Sequence, residues 1–509
     1  MKKISYLFTL SVLLIALIVM ASCSFPKDDG NAPGNDETEE TIVGVEGLRY
    51  ELTNDGESYA IVSEYMCNAK EITLPTEYEG KPVKYIGSGA FKDSSVEKVI
   101  IPEGYVEIYS RSFMNCSVLK SIELPETLIG ISGETFKGCT SIEKINIPDS
   151  VTYINSDAFY GCSSLTEVTV PESVTYLGSQ AFGECSALKT VNLGDNIIDF
   201  SATAFDGTPV ASDDANFVDG VRYIGNYAVS VDKDALPEEL TVREGTVSLA
   251  GGIFSNCGKL KKVVLPESML YVGGGAFSSC SNLAEVKFPD SIISIGYDVF
   301  NNVPHSVYNK VGEDWYVGNH LVRSFRKTAS SVSVREGTIT VAAGVLDGIV
   351  DTLYLPASLK SITYDDLYGT LYSIGNIVVS EENENYKSVN GALYNKSCTR
   401  LIACSSSVGE TFVMPETVEV INPNIFCPGT TTKITTVVLP KSVTEVGSKA
   451  FAHTTLKNVY YCGTAEEYKS IIKSSDSFGN DVNICYYSEA QPTDSGYFWH
   501  YVDAVPTLW

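Results

Sequence analysis

Histidine is scarce in this chain, with only four among 509 residues. The four are far apart in sequence, and no pair has the spacing of metal ligands. The regularly spaced cysteines have no histidine partners that could complete a zinc site. The sequence therefore predicts no metal site and no cofactor. The four histidines are His305, His320, His453 and His500.

The chain also lacks the short motifs that mark catalytic and nucleotide-binding loops. It has no G-x-S-x-G nucleophile elbow, no G-x-x-x-x-G-K-[ST] phosphate loop and no G-x-G-x-x-G in a dinucleotide-binding context. Carboxylates are abundant, but Glu126, Asp149 and Glu172 recur at one position, directly after a proline. Recurrence is typical of a solvated turn rather than of a unique acid–base pair. We therefore expect no enzymatic activity.

Basic residues are outnumbered, with 36 Lys and Arg against 63 Asp and Glu and a net charge of −27. A surface of this sign repels the phosphate backbone of nucleic acids. It is not attracted to anionic lipid head groups either. The charge balance therefore argues against nucleic acid as a partner and against direct adsorption to a membrane.

The first residues hold one apolar run, Leu7–Met20, which is too short and wrongly flanked for an ordinary membrane span. Lys2 and Lys3 precede it, as in the charged start of a signal peptide. It closes in Met20-Ala21-Ser22-Cys23, which resembles a bacterial lipobox with methionine where leucine is usual. The resemblance implies cleavage before Cys23 and attachment of a diacylglyceryl group to its thiol.

Residues 24–41 contain almost no apolar side chains and are rich in proline, glycine and acids, which predicts a flexible tether. We therefore expect a signal peptide over residues 1–22 and a lipid-anchored tether over residues 23–42. The protein would be exported and held on the outer face of the bacterial cell membrane by its lipid alone. A plain secretory signal with an accidental cysteine is the alternative.

Three residue types recur every 23 residues between positions 113 and 171. Phenylalanines stand at 113, 136 and 159, cysteines at 116, 139 and 162, and prolines at 125, 148 and 171. The repeat reads C-x-x-L-x-x-V-x-I-P-x-x-V-x-x-I-x-x-x-A-F-x-x. A period of 20–29 residues with Leu or Ile at fixed offsets is typical of a leucine-rich solenoid.

Each position of the repeat has a physical role. Leu165, Val168 and Val170 have the spacing of a short strand with its apolar side chains turned into the coil, and Pro171 ends that strand. Phe159 is the largest apolar group of its turn, and we expect it to stack on its counterparts in neighbouring turns. The sequence predicts a β-rich solenoid with a parallel sheet on one face, short helical or 3-10 turns on the other, inserted β-hairpins and end caps.

Thirteen cysteines in an exported protein would ordinarily suggest disulfides. Six of them, however, occupy one slot of the repeat, directly before the strand. Parallel side-chain directions disfavour bridges there, so we expect buried free thiols that bond weakly to backbone groups of the turn. The candidate disulfides are Cys398–Cys404 and Cys462–Cys485, while Cys67 and Cys427 are undetermined. The six regular cysteines are Cys116, Cys139, Cys162, Cys185, Cys257 and Cys280.

Breaks in the repeat divide the rest of the chain. An Asn54-Asp55-Gly56 turn between alternating apolar residues predicts a hairpin at the start, and a short helix is expected over Ala465–Ser474. V-R-E-G-T stands at 242–246 and again at 334–338, an offset of 92 or four periods, so the insertions keep the repeat in phase. We expect an N-terminal β cap (43–84), repeats (85–206), a hairpin insertion (207–246), repeats (247–303), a second insertion (304–338), irregular repeats with a third hairpin (339–461) and a C-terminal cap (462–509).

The repeat leaves one column of the strand free to vary, between its last two apolar residues. The column could be only a solvated sheet face. However, it changes from copy to copy while the core positions do not, and repeat proteins build extended binding surfaces on such a frame. We therefore expect it to bind a ligand. Its members are Ile100, Glu123, Asn146, Thr169, Asn192, Val264, Lys287, Tyr354 and Val438.

Copies such as VTYINSDAFYGCSSLTEVTVPES and LYVGGGAFSSCSNLAEVKFPDS resemble the BspA-type, or Treponema pallidum-type, leucine-rich repeat of bacterial surface lipoproteins. The resemblance covers most of residues 83–461. It implies display at the cell surface and adhesion to a protein partner, such as a host matrix protein or a protein of another bacterium. No catalytic residues transfer with it, and we expect a monomer.

Two other functions remain open. One is a surface glycan-binding protein of a polysaccharide-utilisation system, which would need Tyr354, Trp315 and Trp499 to line one groove. The other is a periplasmic-type scaffold or enzyme inhibitor.

Overall fold

The structure is a computed structural model of the chain. It describes residues 47–53, 58–63, 69–325, 328–346, 349–362, 374–425, 433–447, 449–451, 454–469, 471–473, 477–478, 482–492, 497–502 and 505–509. The expected signal peptide, Cys23 and the tether lie outside these residues, as do the turn at 54–56, Cys67 and Cys427. Two compact units, Met1–Leu260 and Lys261–Trp509, make up the chain.

In the first unit, the strand that precedes each repeat proline forms the predicted parallel sheet, which we call the first sheet. Residues one period apart pair directly, as Val168 does with Val191. The parallel sheet expected from the sequence is therefore confirmed. Its strands here are Glu71–Thr73, Lys98–Ile100, Ser121–Glu123, Glu167–Val170, Thr190–Leu193 and Glu239–Thr241.

A second parallel sheet follows the proline of each turn, and the sequence did not predict it. Most of its strands are only two residues long, too short for an alternating pattern to be visible in the sequence. The second residue of each of its two-residue strands in the first unit is buried in the core. The strands in the first unit are Lys81–Ile86, Glu107–Ile108, Gly130–Ile131, Tyr153–Ile154, Tyr176–Leu177, Asp199–Phe200 and Ser248–Leu249.

The third side of each turn is a tight 3-10-like segment. In one turn, the N–H groups of Ala158 and Cys162 bond to the carbonyls three residues earlier, Asn155 and Phe159. Phe136, Phe159 and their counterparts stack in one row, with ring centroids 4.9–5.6 Å apart and planes within 18°. The predicted phenylalanine stack is confirmed.

The hairpins are joined into the second sheet rather than set apart from it. The last strand of the first inserted hairpin, Tyr227–Val231, pairs in parallel with Ser248–Leu249. Near the first described residues, Arg49–Leu52 pairs antiparallel with Tyr59–Ser63, which pairs in parallel with Lys81–Ile86. The other elements of the first unit are the strands Glu77–Tyr78, Phe217–Val218 and Val221–Ile224, the helix Pro209–Ser212 and the 3-10 turn Asp214–Asn216.

The second unit repeats this plan, with strands of the first sheet and of the second sheet in alternation. First-sheet strands are Lys262–Val264, Glu285–Lys287, Thr328–Ser333, Ile349–Leu355, Ile374–Val379, Thr411–Val413, Thr436–Leu439, Asn458–Tyr461 and Asn483–Tyr487. Second-sheet strands are Tyr271–Val272, Ser294–Ile295, Thr340–Val341, Val420–Ile421, Glu445–Val446 and Ile472–Lys473.

Two inserted hairpins lie in this unit, and the last strand of each hairpin joins the second sheet in parallel. The second insertion holds the 3-10 turn His305–Val307 and the strands Asn309–Val311, Asp314–Val317 and His320–Ser324. The third holds the strands Tyr386–Val389, Ala392–Asn395 and Arg400–Cys404.

The C-terminal helix is shorter than predicted. It spans Ala465–Lys469, because Ile472–Lys473 pairs as a strand with Glu445–Val446. The strands Phe498–Val502 and Val505–Leu508 close the chain. No helix in the described ranges is long and apolar enough to cross a bilayer.

Every cysteine within the described ranges has a free thiol, so Cys398–Cys404 and Cys462–Cys485 are not bridged. The repeat cysteines are buried as predicted.

Candidate interaction surfaces

The predicted column lies in register along the first sheet. Ile100 pairs with Glu123, Thr169 with Asn192, and Val264 with Lys287. The Nδ2 of Asn192 reaches the Oγ1 of Thr169 at 3.4 Å. Ile100 and Val264 are half-buried. The exposed members of the column are Glu123, Asn146, Thr169, Asn192, Lys287 and Tyr354.

Val438 is the exception, and the expectation that it is exposed is wrong. Its side chain is only 2% exposed. It packs with Tyr460, Cys485 and Trp499 in a small apolar cluster. The C-terminal strand Phe498–Val502 brings Trp499 onto this face, so the column is covered here.

Charged residues in the column and beside it largely pair with one another. Glu97 lies 2.8 Å from the Nζ of Lys70 and 2.7 Å from that of Lys120, and these hydrogen bonds lower its pKa to about 2. Such exposed pairs contribute little to stability. They do compensate one another's charges on this face. The other pairs are Lys98–Glu123, Lys144–Glu167, Lys262–Glu285 and Lys287–Glu285.

The first sheet of the second unit is interrupted by a cleft of about 640 Å³. Ile374–Val379 is the last strand of a three-stranded piece, and Thr411–Val413 is the first strand of the next piece. The third insertion lies between them in the chain. Two edge strands therefore line one cleft, and an edge strand offers backbone groups to an incoming strand.

The lining of the cleft carries no charged side chain. Polar groups come from Asn376, Ser388, Asn390, Ser407 and Thr411, and apolar ones from the two edge strands. Uncharged polar groups beside apolar side chains suit a peptide backbone, which needs hydrogen bonds but carries no charge.

The floor of the cleft is tightly packed. Gly391 has a φ of +80°, and a Cβ there would overlap the Oγ of Ser407 and lie 2.8 Å from the Oγ of Ser405. Those two hydroxyls are 3.0 Å apart. At the edge strand, the N–H of Val379 donates to the Oγ of Ser388 at 3.0 Å. These bonds hold the polar lining in place.

Exposed apolar side chains stand on both sides of the cleft. Tyr354, 43% exposed, pairs with Val378 of the edge strand on one side. Val413, 40% exposed, belongs to the edge strand on the other side. Tyr354 was predicted from the column. Val413 and the cleft were missed, and the interruption of the repeat by the third insertion is the sequence signal that could have located them.

The three aromatic residues that a glycan groove would need do not come together as required. Trp499 is fully buried against Tyr460, and its Nε1 donates to the carbonyl of Tyr461 at 2.9 Å. Trp315 is buried between Tyr308 and Phe325. Only Tyr354 of the three is exposed.

Comparison with known proteins places this repeat in a family. Six copies of a family model described as the BspA type leucine rich repeat region match residues 84–212, 211–310 and 353–474, more than half of the chain. No curated protein matches it.

Solved structures of low identity also match. A leucine rich repeat protein of Treponema pallidum is 24% identical over 47% of this chain and 90% of its own, with a TM-score of 0.30. A leucine rich cell surface protein of Faecalibacterium prausnitzii A2-165 is 21% identical over 87% of this chain and 99% of its own, with a TM-score of 0.31. On the family match, the chain belongs to the BspA-type leucine rich repeat proteins.

Proposed function

We propose that this protein is an exported surface protein that binds another protein through the first sheet of its second unit, at the cleft between Ile374–Val379 and Thr411–Val413. The partner is a protein of the host matrix or of another bacterial surface. Binding needs no catalysis and no cofactor, and the chain acts as a monomer.

The observation that carries this proposal is the pair of edge strands on one cleft. An extended segment of the partner can add to either edge, so that main-chain hydrogen bonds give affinity and side-chain contacts give specificity. Ile374 and Val379 at the ends of one edge already bond to Ser406 and Ser388, which leaves the partner a short segment between them.

The side chains around the cleft favour a protein over a glycan. Tyr354 and Val413 offer apolar area on opposite sides, and tyrosine is enriched where proteins meet. Sugar rings are commonly held between aromatic platforms, and Trp315 and Trp499 are buried elsewhere.

Surface display rests on the start of the chain. Cleavage before Cys23 and lipidation of its thiol would place the tether and the repeats outside the membrane. Labelling cells with a radioactive fatty acid tests this. Label is expected in the native protein and absent from Cys23→Ala, and label retained in Cys23→Ala would contradict lipidation at that thiol.

The test of function is a pair of binding screens with the purified mature chain. An immobilised panel of extracellular matrix proteins and whole bacterial cells is expected to give saturable binding, and a glycan array is expected to give none. Binding to the glycan array alone would replace the proposal with the glycan function. Binding to neither would overturn it.

A further inference from the structure

The outer face of the second sheet in the first unit carries a row of tyrosines and carboxylates. The row is made by the outward-facing first residue of the two-residue strands, and Tyr85 of the longer strand Lys81–Ile86 begins it. Because the strands pair in parallel and in register, these residues lie side by side. In order they are Tyr85, Glu107, Gly130, Tyr153, Tyr176 and Asp199.

Gly130 lets Tyr153 reach Glu107 across an intervening turn. A Cβ at Gly130 would overlap the ring of Tyr153, so that ring lies across the glycine. The hydroxyl of Tyr153 is 3.4 Å from the Oε1 of Glu107 and donates to it. The carboxylate therefore lies at the end of a nearly buried aromatic ring.

Two further tyrosines lie beside the same carboxylate. Tyr85 pairs with Glu107 in the sheet, and Tyr109 follows two residues later. The rings of Tyr85 and Tyr109 are stacked with centroids 6.0 Å apart and planes 17° apart. Three aromatic rings therefore surround Glu107. Tyr85 lies in the preceding strand, Tyr109 directly follows the strand of Glu107, and Tyr153 comes from two turns later in the chain.

Glu107 differs from the carboxylates of the first sheet in lacking a cation. Glu97, Glu123 and Glu167 each pair with lysine, whereas no Lys or Arg in the described ranges forms an ion pair with Glu107. Burial away from water raises the pKa of Glu107 to about 7. Hydrogen bonds from Tyr153 and Tyr109 act in the opposite direction and lower this pKa, but their effect is smaller. A carboxylate deprived of water gains most from an opposite charge.

We propose that Glu107, with Tyr85, Tyr109 and Tyr153, binds the side chain of a lysine or arginine of a partner protein. The carboxylate would form the ion pair, and the rings would add cation–π contact and exclude water. The first unit already uses such a contact, since the guanidinium of Arg243 lies 4.1 Å from the ring centre of Tyr223. The strongly negative chain, at −27, also favours a basic partner.

This surface is distinct from the cleft of the second unit. It lies on the other sheet and recognises charge rather than a peptide backbone. Small cationic probes test it without a partner protein, so its failure would leave the proposed function untouched, and the reverse also holds.

The experiment titrates the full mature chain with N-acetyl-arginine amide and N-acetyl-lysine amide at constant ionic strength. Selective 13C labelling of glutamate carboxyls gives the readout. We expect one carboxyl to titrate near pH 7, and its signal to disappear in Glu107→Gln. We expect about tenfold tighter binding of the cationic amides at pH 8 than at pH 6, as the ionised fraction rises across a pKa of about 7.

The other titratable groups that face Glu107 do not change charge over the pH range of this titration. They are the phenols of Tyr85, Tyr109 and Tyr153, and a phenol does not ordinarily titrate between pH 6 and 8. Glu126→Gln is the matched control, because it removes one exposed carboxylate elsewhere on the same unit. It is expected to leave binding and its pH dependence unchanged.

Gly130→Ala provides a second variant that keeps the carboxylate but displaces the ring of Tyr153. We expect it to weaken binding of the arginine amide at least threefold, while Gly133→Ala does not. The proposal is overturned if the amides bind Glu107→Gln as tightly as the native chain. It is also overturned if N-acetyl-glutamine amide or added sodium chloride shifts the Glu107 signal as much as the arginine amide does.

Discussion

The thiol of Cys139 donates a hydrogen bond to the carbonyl oxygen of Phe113 in the preceding turn, with the two atoms 3.1 Å apart. The same bond recurs one turn on, from Cys162 to Phe136 at 3.2 Å. Each cysteine thus ties its own turn to the phenylalanine segment of the turn before. Cysteine is small enough for the slot and still satisfies a buried carbonyl.

Replacing Cys139 with alanine is expected to lower the free energy of unfolding by about 1 kcal/mol, since the carbonyl of Phe113 loses one of its two donors inside the core and keeps only the N–H of Cys116. The midpoint of urea unfolding measures this. Cys462→Ala, at a partly exposed cysteine outside the repeat slot, is expected to change it less.

The same thiols should be unreactive in the folded protein. A hydrogen bond with the thiol of Cys116, followed by burial, raises the pKa of Cys139 and suppresses its thiolate. A thiol reagent is expected to modify Cys139 only after unfolding. Rapid modification in the native protein would contradict the burial of the repeat cysteines.

Glu107 should make stability fall as pH rises. Between its ordinary pKa of 4.5 and the raised pKa of about 7, the folded chain holds a proton that the unfolded chain has released. The free energy of unfolding therefore falls across this window, by at most about 3 kcal/mol. Measured by urea unfolding, the free energy of unfolding of the native protein relative to Glu107→Gln should fall from pH 4 to pH 8. A constant difference between the two proteins would contradict the assignment.

His320 should act in the opposite direction. Its Nε2 lies 3.0 Å from the carbonyl oxygen of Pro289, which can only accept, so Nε2 carries the hydrogen and Nδ1 accepts from the hydroxyl of Thr340 at 2.7 Å. Burial lowers the pKa of His320 from 6.5 to about 4. Between these values only the unfolded chain takes up the proton, so stability is lost as pH falls, by about 3 kcal/mol.

The variant His320→Gln tests this, because its side chain cannot be protonated in that range. The free energy of unfolding of the native protein relative to this variant is expected to fall by about 3 kcal/mol from pH 6.5 to pH 4. Towards pH 4, the native protein should therefore no longer have a higher free energy of unfolding than the variant. A constant difference between the two across that range would show that His320 does not titrate as described.

The variant Gly391→Ala tests how tightly the floor of the cleft is packed. Alanine at this position meets a left-handed backbone, which costs about 1–2 kcal/mol, and also the hydroxyls of Ser405 and Ser407. Gly337 has a similar φ of +89° with nothing within 4 Å of an added Cβ, so Gly337→Ala bears only the backbone cost. We expect Gly391→Ala to be the more destabilised in urea. Equal losses would mean that the floor is not packed as described.

The sequence predicted the parts of the fold that large or distinctive side chains repeat. Phe159 and Cys162 recur at one period, so their stacking and burial could be read from spacing alone. The second sheet was missed, because a pair such as Tyr153–Ile154 is too short to show a strand pattern.

The surfaces were less predictable than the core. Val438 occupies the same repeat slot as Tyr354, but Trp499 folds over it from the end of the chain. In the sequence, Glu107 looks like any exposed carboxylate. Only the structure shows that Gly130, which has no side chain, leaves room for the ring of Tyr153 to reach it. Both outcomes depend on contacts between turns, which no single repeat encodes.

The central claim is that the protein partner binds beside the cleft, and a matched pair of double variants tests it most directly. Tyr354→Ser with Val413→Ser removes the exposed apolar side chains at the cleft. Tyr297→Ser with Val311→Ser removes the same residue types elsewhere in the second unit, at nearly equal exposures of 44% and 42%. We predict that, for the matrix protein or cell type bound by the native chain, the first pair weakens binding at least tenfold and the second leaves it unchanged. Equal effects of the two pairs would contradict the account.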